Sequence, residues 1–325
     1  MKQSLFEHRH MAEWEQFSRT LDRLEGNKNA AGVENFPSDY RRLCQHLALA
    51  RERGYSSFLI DSLQQQALRG HQQLYRHRSR LGPHVLSFIL ADFPRLVREQ
   101  WRFVLAACLM FFGSLIGFAL LVYLYPELIY SLIPAEQVSE MQGMYDPDAG
   151  HLGRLAERAA SEDWAMFGYY IMHNTGIAFQ TFASGLLFGL GSAFFLIFNG
   201  LMIGAIAGHL TRIGFGQTFW SFVIGHGAFE LTAIALAGAA GLQLGWALIA
   251  PGRQPRGEAL LVAARKSVLL ICGVMLFLLV AAFIEAYWSS MTAPSPLIKY
   301  LVGAALWMLM AAYLLFAGRS RHAPE

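Results

Sequence analysis

The stretch FWSFVIGHGAFELTAIALAGAAG, residues 219–241, has the length and composition of a helix that crosses a membrane. A helix needs about 20 mostly apolar residues to span the hydrocarbon core of a bilayer. His226 and Glu230 are the ionisable residues of this stretch, and their spacing of four places them on one helix face. A charged side chain at the bilayer centre costs at least about 2.5 to 3.5 kcal/mol. We therefore expect this face to meet protein or a water-filled cavity instead of lipid.

The composition of the whole chain is that of a membrane protein. Of its 325 residues, 54% are hydrophobic and 15% are charged, whereas soluble domains average about 45 to 50% and about 25%. The predicted fold class is all-α: a polytopic membrane helical bundle of about six transmembrane helices, with an N-terminal cytoplasmic helical bundle. The transmembrane domain covers residues 103–317, with spans near 103–125, 165–187, 191–211, 218–240, 267–288 and 297–317. A Gly-rich turn around Gly189 and Gly191 separates the second and third spans, where a pair of broken helices is the alternative.

The distribution of charge predicts how these spans are oriented. Residues 1–102 hold 16 Lys/Arg and 11 Asp/Glu, whereas residues 126–163 hold 2 and 8. The loop 251–266 holds four Lys/Arg beside Glu258, and the tail 318–325 is also basic. Because short basic loops stay on the cytoplasmic side, we expect both termini in the cytoplasm and the acidic loop 126–163 outside. The predicted location is the cytoplasmic (inner) membrane.

The first 82 residues predict a small cytoplasmic bundle of helices. Trp14, Phe17 and Leu21 recur at helical spacing along a stripe that ends near Gly26, which is typical of core packing. Residues 83–102 include the Arg-rich segment FPRLVREQWR, which predicts an interfacial elbow helix in contact with anionic lipid headgroups. The lipid bilayer is therefore a predicted partner. Nucleic acid is not, because the positive charges are spread along amphipathic helices and form no single stripe.

Polar residues at matched depth predict a cluster inside the bundle. With the predicted orientation, several polar side chains on neighbouring spans lie in the outer half of the membrane, and Glu285 lies near the external rim. Such groups normally face the bundle interior, so we expect them to meet. The predicted polar cluster consists of His226, Glu230, Asn174, Asn199, His173 and Glu285.

Three interpretations of this cluster remain open. The side chains could bond to one another and determine which helices pack together. Alternatively, His226 and Glu230 could serve a small-solute or ion/proton-coupled transporter, since intramembrane ionisable residues often mark pathways. Thirdly, His173, His226 and Glu230 could bind zinc in an intramembrane hydrolase, although no HExxH motif supplies a general base. The sequence does not identify a ligand, and the cofactor, if there is one, is unknown.

Small residues spaced four apart predict close helix packing in the second and third spans. They form smooth faces that let two backbones approach each other. These helix-packing glycines are Gly185, Gly189, Gly200, Gly204 and Gly208. The faces could pack within the chain or against a second copy, so a homo-oligomer is a further prediction.

Taken together, these segments resemble the stage II sporulation protein M family of polytopic bacterial and archaeal membrane proteins. The matching segments are YRRLCQHLALAR, GHQQLYR, FPRLVREQW, HNTGIAFQTFASGLLFGLGSAF, NGLMIGAIAG, GHGAFELTAIALAGAAGLQLG and FIEAYW. The family more often has Asn at the position of His173, which argues against a shared role for this residue. The resemblance implies a multi-spanning protein that, in spore formers, helps to localise peptidoglycan-degrading partners.

We therefore predict a non-enzymatic assembly or scaffold component of an envelope-associated complex, with protein partners in the membrane or envelope. The chain shows no complete catalytic set, and its small-residue faces suit helix association. Transport through the site at His226 and Glu230 is the alternative, and metal-dependent hydrolysis is the third hypothesis.

Overall fold

The computed structural model describes residues 2–26, 35–74, 81–149 and 160–319. Within these ranges every regular element is a helix, which confirms the predicted all-α membrane bundle. The chain divides into two units, residues 1–82 and 83–325.

In residues 2–26 and 35–74, the described part of the first unit lies in three helices: α1 (Gln3–Gly26), α2 (Phe36–Glu52) and α3 (Ser57–Leu74). The predicted stripe of α1 is the face that becomes buried, and Leu21 is fully enclosed. A polar contact crosses this core, where Trp14 Nε1 donates a hydrogen bond to His46 Nδ1 at 3.1 Å. On the surface, Arg69 of α3 pairs with Asp22 and Glu25 of α1. The unit therefore has its own hydrophobic core and its own interhelical ion pairs.

The second unit begins with the elbow and continues through the membrane helices. The elbow consists of α4 (Leu81–Ser87), a π-helical turn (Phe88–Asp92) and α5 (Phe93–Glu99). The chain bends at Gln100, after which the remaining helices follow in order. These are α6 (Trp101–Leu124), α7 (Ala135–Tyr145), α8 (Ala160–Ala183), α9 (Leu190–Arg212), α10 (Gly216–Ile249), α11 (Arg256–Ile284) and α12 (Pro296–Phe316). A second π-helical turn, Glu285–Ser289, extends α11.

Five helices in the described part of the chain are long and apolar enough to cross a membrane: α6, α9, α10, α11 with its π-helical turn, and α12. They correspond to five of the six predicted spans. The span predicted at 165–187 corresponds to α8, which has 24 residues but is not among these five. Its polar His173, Asn174 and Thr175 lower its hydropathy, so a sixth crossing at α8 stays a prediction.

Two predicted connections contain more helix than expected. The predicted loop 251–266 is helical from Arg256 onward, because RGEALLVAARK is rich in helix-forming residues and follows Pro255. The predicted external loop 126–163 contains α7. Between the second and third spans, the turn lies at residues 184–189, where Gly189 adopts a positive φ of 81°. Gly191 lies inside α9.

Helix α10 is the central helix of the second unit, and it is the most deeply buried of the five helices that could cross a membrane. Helices α6, α9 and α10 all pack against one another. At Gly200, Gly204 and Gly208 of α9, an added Cβ would collide with the backbone of α6. At Gly185, before α9, it would collide with the backbone of Gly241 in α10. Four of the predicted packing glycines are thus covered within the same chain. The fifth, Gly189, also lies beside α10, at Gly245.

Candidate functional site: a polar cavity in the helix bundle

A cavity of about 250 Å³ lies at the end of the bundle where α10 begins. Helices α7, α8, α9 and α10 line it together with the π-helical turn after α11. Most of its wall is formed by aromatic and aliphatic side chains. The predicted polar residues that line it are His173, Asn174, His226, Glu230 and Glu285.

Three of these side chains form a compact group of potential cation ligands. One ligand atom each from His226, Glu230 and Glu285 lies within 4.8 Å of the other two. His226 and Glu230 are one helical turn apart on α10, as their spacing predicted, and Glu285 approaches them from the π-helical turn. An imidazole with two carboxylates is a nitrogen and oxygen donor set that suits divalent ions such as Zn²⁺ or Mn²⁺.

The π-helical turn Glu285–Ser289 determines how the imidazole of His226 is held. Ser289 Oγ and His226 Nδ1 form a hydrogen bond of 3.0 Å, and the carbonyl of Phe222 also lies beside the ring. With Nδ1 engaged, Nε2 is the nitrogen left to bind a cation. Metal-binding histidines are usually oriented in this way through their other ring nitrogen. A single turn therefore supplies both a carboxylate ligand and the hydrogen bond that positions the imidazole.

Lys299 of α12 anchors this turn from behind. Its side chain is 2% exposed, and its Nζ donates a hydrogen bond of 2.8 Å to the backbone carbonyl of Ser289. π-Helical turns leave a carbonyl without its usual helical partner, and they often occur at functional sites. Neither Lys299 nor Ser289 was predicted from the sequence as a site residue. A lysine within an apolar span was the one available signal for Lys299.

Two polar atoms at the cavity are buried without a hydrogen-bond partner among the described residues: Asn174 Nδ2 and Glu230 Oε2. The two side chains are within interacting distance, but no hydrogen bond of good geometry joins these atoms. A buried polar group without a partner is costly, commonly by about 1 to 3 kcal/mol. Asn174 and Glu230 therefore do not satisfy each other's hydrogen-bonding capacity, as a purely structural pair would. A cation, a proton or a water molecule could complete the interaction.

Two predicted members of the cluster lie elsewhere. Asn199 does not line the cavity, because its Nδ2 donates to Phe195 of its own helix. In the antiparallel pair of α9 and α10, Leu196 lies against Gly238, which places Asn199 more than one turn deeper than Glu230. The sequence-based estimate of their levels counted from the span ends and did not include this helix register.

His173 lies at the cavity wall but outside the compact ligand group of the described residues. Its ring is exposed and stacks on Tyr169, with ring centroids 5.5 Å apart. The metal-ligand set predicted from sequence was His173, His226 and Glu230, and Glu285 takes the place of His173 in the observed group. The π-helical turn brings Glu285 toward α10, and no periodic pattern in the sequence indicated this turn.

Helix α7 covers the open end of the cavity. Gln142 Nε2 and His209 Nε2 of α9 are 2.9 Å apart, and Thr218 of α10 donates a hydrogen bond to the carbonyl of Tyr145. The Tyr145 ring also packs edge-on against Phe222, which in turn packs edge-on against His226. The segment that the charge pattern predicts to be external thus forms the lid of the cavity.

A second group of potential ligands lies in the first unit, where His10, Glu13 and His46 each offer one atom within 4.8 Å of the others. The hydrogen bond from Trp14 makes Nδ1 of His46 an acceptor, which places the ring proton on Nε2. Neither nitrogen of that tautomer is free to bind a cation. This group is therefore a weaker candidate for a metal site than the cavity in the second unit.

Comparisons with known proteins identify the segment that builds the cavity. The model of the family described as Stage II sporulation protein M matches residues 105–290, which is more than half of the chain and includes every residue that lines the cavity. A second family, described as a domain of unknown function (DUF8413), matches residues 4–76. Comparison with curated proteins and with solved structures gave no match. The chain is thus a membrane protein that belongs to the stage II sporulation protein M family.

Proposed function

We propose that the protein binds a divalent cation at His226, Glu230 and Glu285, and that this site serves ion-coupled transport. The observation that carries the proposal is the convergence of three potential ligands on a cavity in which Glu230 Oε2 is buried with no hydrogen-bond partner among the residues that the structure describes. Two carboxylates and a neutral imidazole would balance the charge of a divalent cation. Ionisable groups inside a membrane bundle commonly mark such pathways.

The direct test is cation binding to the full-length protein in detergent or nanodiscs. Titration with Zn²⁺ and Mn²⁺, followed by calorimetry and elemental analysis, should give one bound ion per chain. The Glu230→Gln and Glu285→Gln variants should each lower the affinity by at least tenfold. Glu258→Gln removes an exposed carboxylate at the start of α11 and should leave the affinity unchanged. Equal affinities for all four proteins would contradict the proposal.

Transport is tested separately in proteoliposomes that contain an ion-sensitive dye. We expect cation flux in vesicles with the unmodified protein and little flux with Glu230→Gln. Binding without flux would retain the site but refute the transport role.

An assembly role is the second candidate, and the separate N-terminal unit supports it. This unit has its own core, yet Phe58 is 85% exposed and Leu5 is 62% exposed. The two residues lie near the same end of the unit, where Gln3 bonds to Ser56. Exposed large apolar side chains of this kind are often protein contacts. Co-purification from native membranes should recover partners that a Phe58→Ser variant loses.

The orientation of the protein is also a proposal. The charge pattern supports cytoplasmic termini, which would open the cavity toward the outside beneath α7. Single-cysteine labelling at Ser131, close to α7, should succeed with a membrane-impermeant reagent on intact cells. Labelling only after lysis would reverse the orientation.

A further inference from the structure

A second cavity lies at the opposite end of α12 from the polar cavity and has an almost wholly apolar lining. Its volume is about 380 Å³. The elbow forms one wall through Phe88, Ile89 and Phe93, and α11, α12 and Phe229 of α10 form the others. The carbonyl of Ile89, at the π-helical turn, accepts a hydrogen bond from the Tyr313 hydroxyl. Because this carbonyl is already satisfied, the cavity suits an apolar occupant.

Three arginines gather beside this cavity at the C-terminal end of α12. Arg98 donates hydrogen bonds of 2.7 Å to the carbonyls of Leu314 and Ala317, and Arg95 donates one of 3.1 Å to Gly318. Arg319 lies near Arg98 and also over the ring of Phe316, at 5.1 Å from its centroid.

The three arginines carry more positive charge than is needed to balance the C-terminal end of α12. The C-terminus of a helix carries about half a negative charge, which one cation can balance. Among the described residues, no carboxylate lies within 4.0 Å of Arg95, Arg98 or Arg319 to form an ion pair. Burial, followed by the charges of Arg319 and Arg95, lowers the pKa of Arg98. The cluster therefore repels itself, and a bound anion would relieve this repulsion.

We propose that the elbow cavity binds one anionic phospholipid, with an acyl chain in the apolar cavity and the phosphate against Arg95, Arg98 and Arg319. The distance along α12 between the apolar cavity and the arginines fits a phospholipid. Tyr313 at the cavity and Ala317 at the arginines are four residues apart, or about 6 Å along the helix. The headgroup layer of a bilayer is about 5 to 7 Å thick on each side. Arg95 and Arg319 are exposed and Arg95 uses one of its five donors, so donors remain for a phosphate.

The test compares two lipids that differ in headgroup charge alone. Full-length protein is exchanged into detergent with phosphatidylglycerol or phosphatidylcholine of identical chains, and bound lipid is counted by native mass spectrometry. We expect phosphatidylglycerol to be retained at least fivefold better, and raising the salt concentration should reduce this preference. Equal retention of both lipids by the unmodified protein would overturn the proposal without any variant.

Variants then locate the site. Removing the charges of Arg95 and Arg319 with Arg95→Gln and Arg319→Gln should lower the preference for phosphatidylglycerol about fivefold for each arginine. Arg253→Gln, on the connection between α10 and α11, is the matched control and should have no effect. Leu309→Trp places a larger side chain in the apolar cavity and should reduce retention of both lipids. If Leu309→Trp retains both lipids as the unmodified protein does, the lipid is bound elsewhere and the proposal fails.

Discussion

Replacing Ser289 with alanine should weaken cation binding at the polar cavity without removing any ligand. The substitution deletes the hydroxyl that bonds to His226 Nδ1 at 3.0 Å. It keeps the backbone carbonyl of Ser289, so the hydrogen bond from Lys299 remains and the turn stays anchored. The variant therefore tests the orientation of the imidazole separately from the integrity of the π-helical turn.

The size of the effect can be estimated from the surroundings of the ring. Loss of the group that orients a metal-binding histidine typically lowers the affinity by about 10- to 100-fold. Because the carbonyl of Phe222 also lies beside the ring, we expect the lower end, about tenfold or about 1.4 kcal/mol. The free energy of unfolding should fall by about 1 kcal/mol, the net contribution of one hydrogen bond.

Ser290→Ala is the matched control for this experiment. Its hydroxyl donates to the carbonyl of Ala286 within its own turn and has no contact with His226. Affinities for Zn²⁺ and Mn²⁺ should be measured by calorimetry in the same detergent, with melting temperature as the measure of folding. If both serine variants bind cations as tightly as the unmodified protein, the hydroxyl of Ser289 does not position a ligand. The assignment of His226 as a cation ligand held by this hydroxyl would then be wrong.

Three further outcomes follow from contacts described above. Burial lowers the pKa of His46 below its usual 6.5, so between these two pKa values the unfolded chain binds more protons than the folded unit. The first unit should therefore lose stability as the pH falls through that region, and His46→Gln should flatten the pH dependence of its melting temperature. Gly204→Leu should abolish folding, measured as the yield of monodisperse protein, because its side chain would meet the backbone of α6, whereas Gly117→Ala has open space and should fold normally. Lys299→Met should lower the melting temperature by the equivalent of about 1 to 3 kcal/mol, because the carbonyl of Ser289 loses its buried donor, and an unchanged melting temperature would contradict the anchoring role.

The sequence indicated the membrane helices because their signal is local. A span needs only a continuous apolar run, so five of the predicted spans correspond to helices that are long and apolar enough to cross. Helix ends were harder to predict than helix positions, because α11 begins at Arg256, well before its apolar part. Charged but helix-forming residues extend a helix beyond the membrane, and hydropathy alone does not detect them.

Only part of the candidate site could be predicted from the sequence. The spacing of His226 and Glu230 placed them on one face, because that relation lies within a single helix. The level of Asn199 depended on the register between two helices, which packing at Gly238 determines. The approach of Glu285 depended on a π-helical turn, a local change of helix pitch that has no simple sequence signature.

The glycine contacts of α9 limit how the polar cavity can open. Backbones that touch at Gly200, Gly204 and Gly208 cannot slide past one another without separating, so α6 and α9 form a rigid frame with α10. By contrast, α7 is held over the cavity by side-chain contacts: hydrogen bonds at Gln142 and Thr218, the packing of the Tyr145 ring against Phe222, and the buried side chain of Val138. Displacement of α7 would leave the backbone contacts of this frame intact, whereas rocking of the core helices would break them. For the proposed transport role, movement of α7 would therefore open the cavity while the frame beneath it stays still.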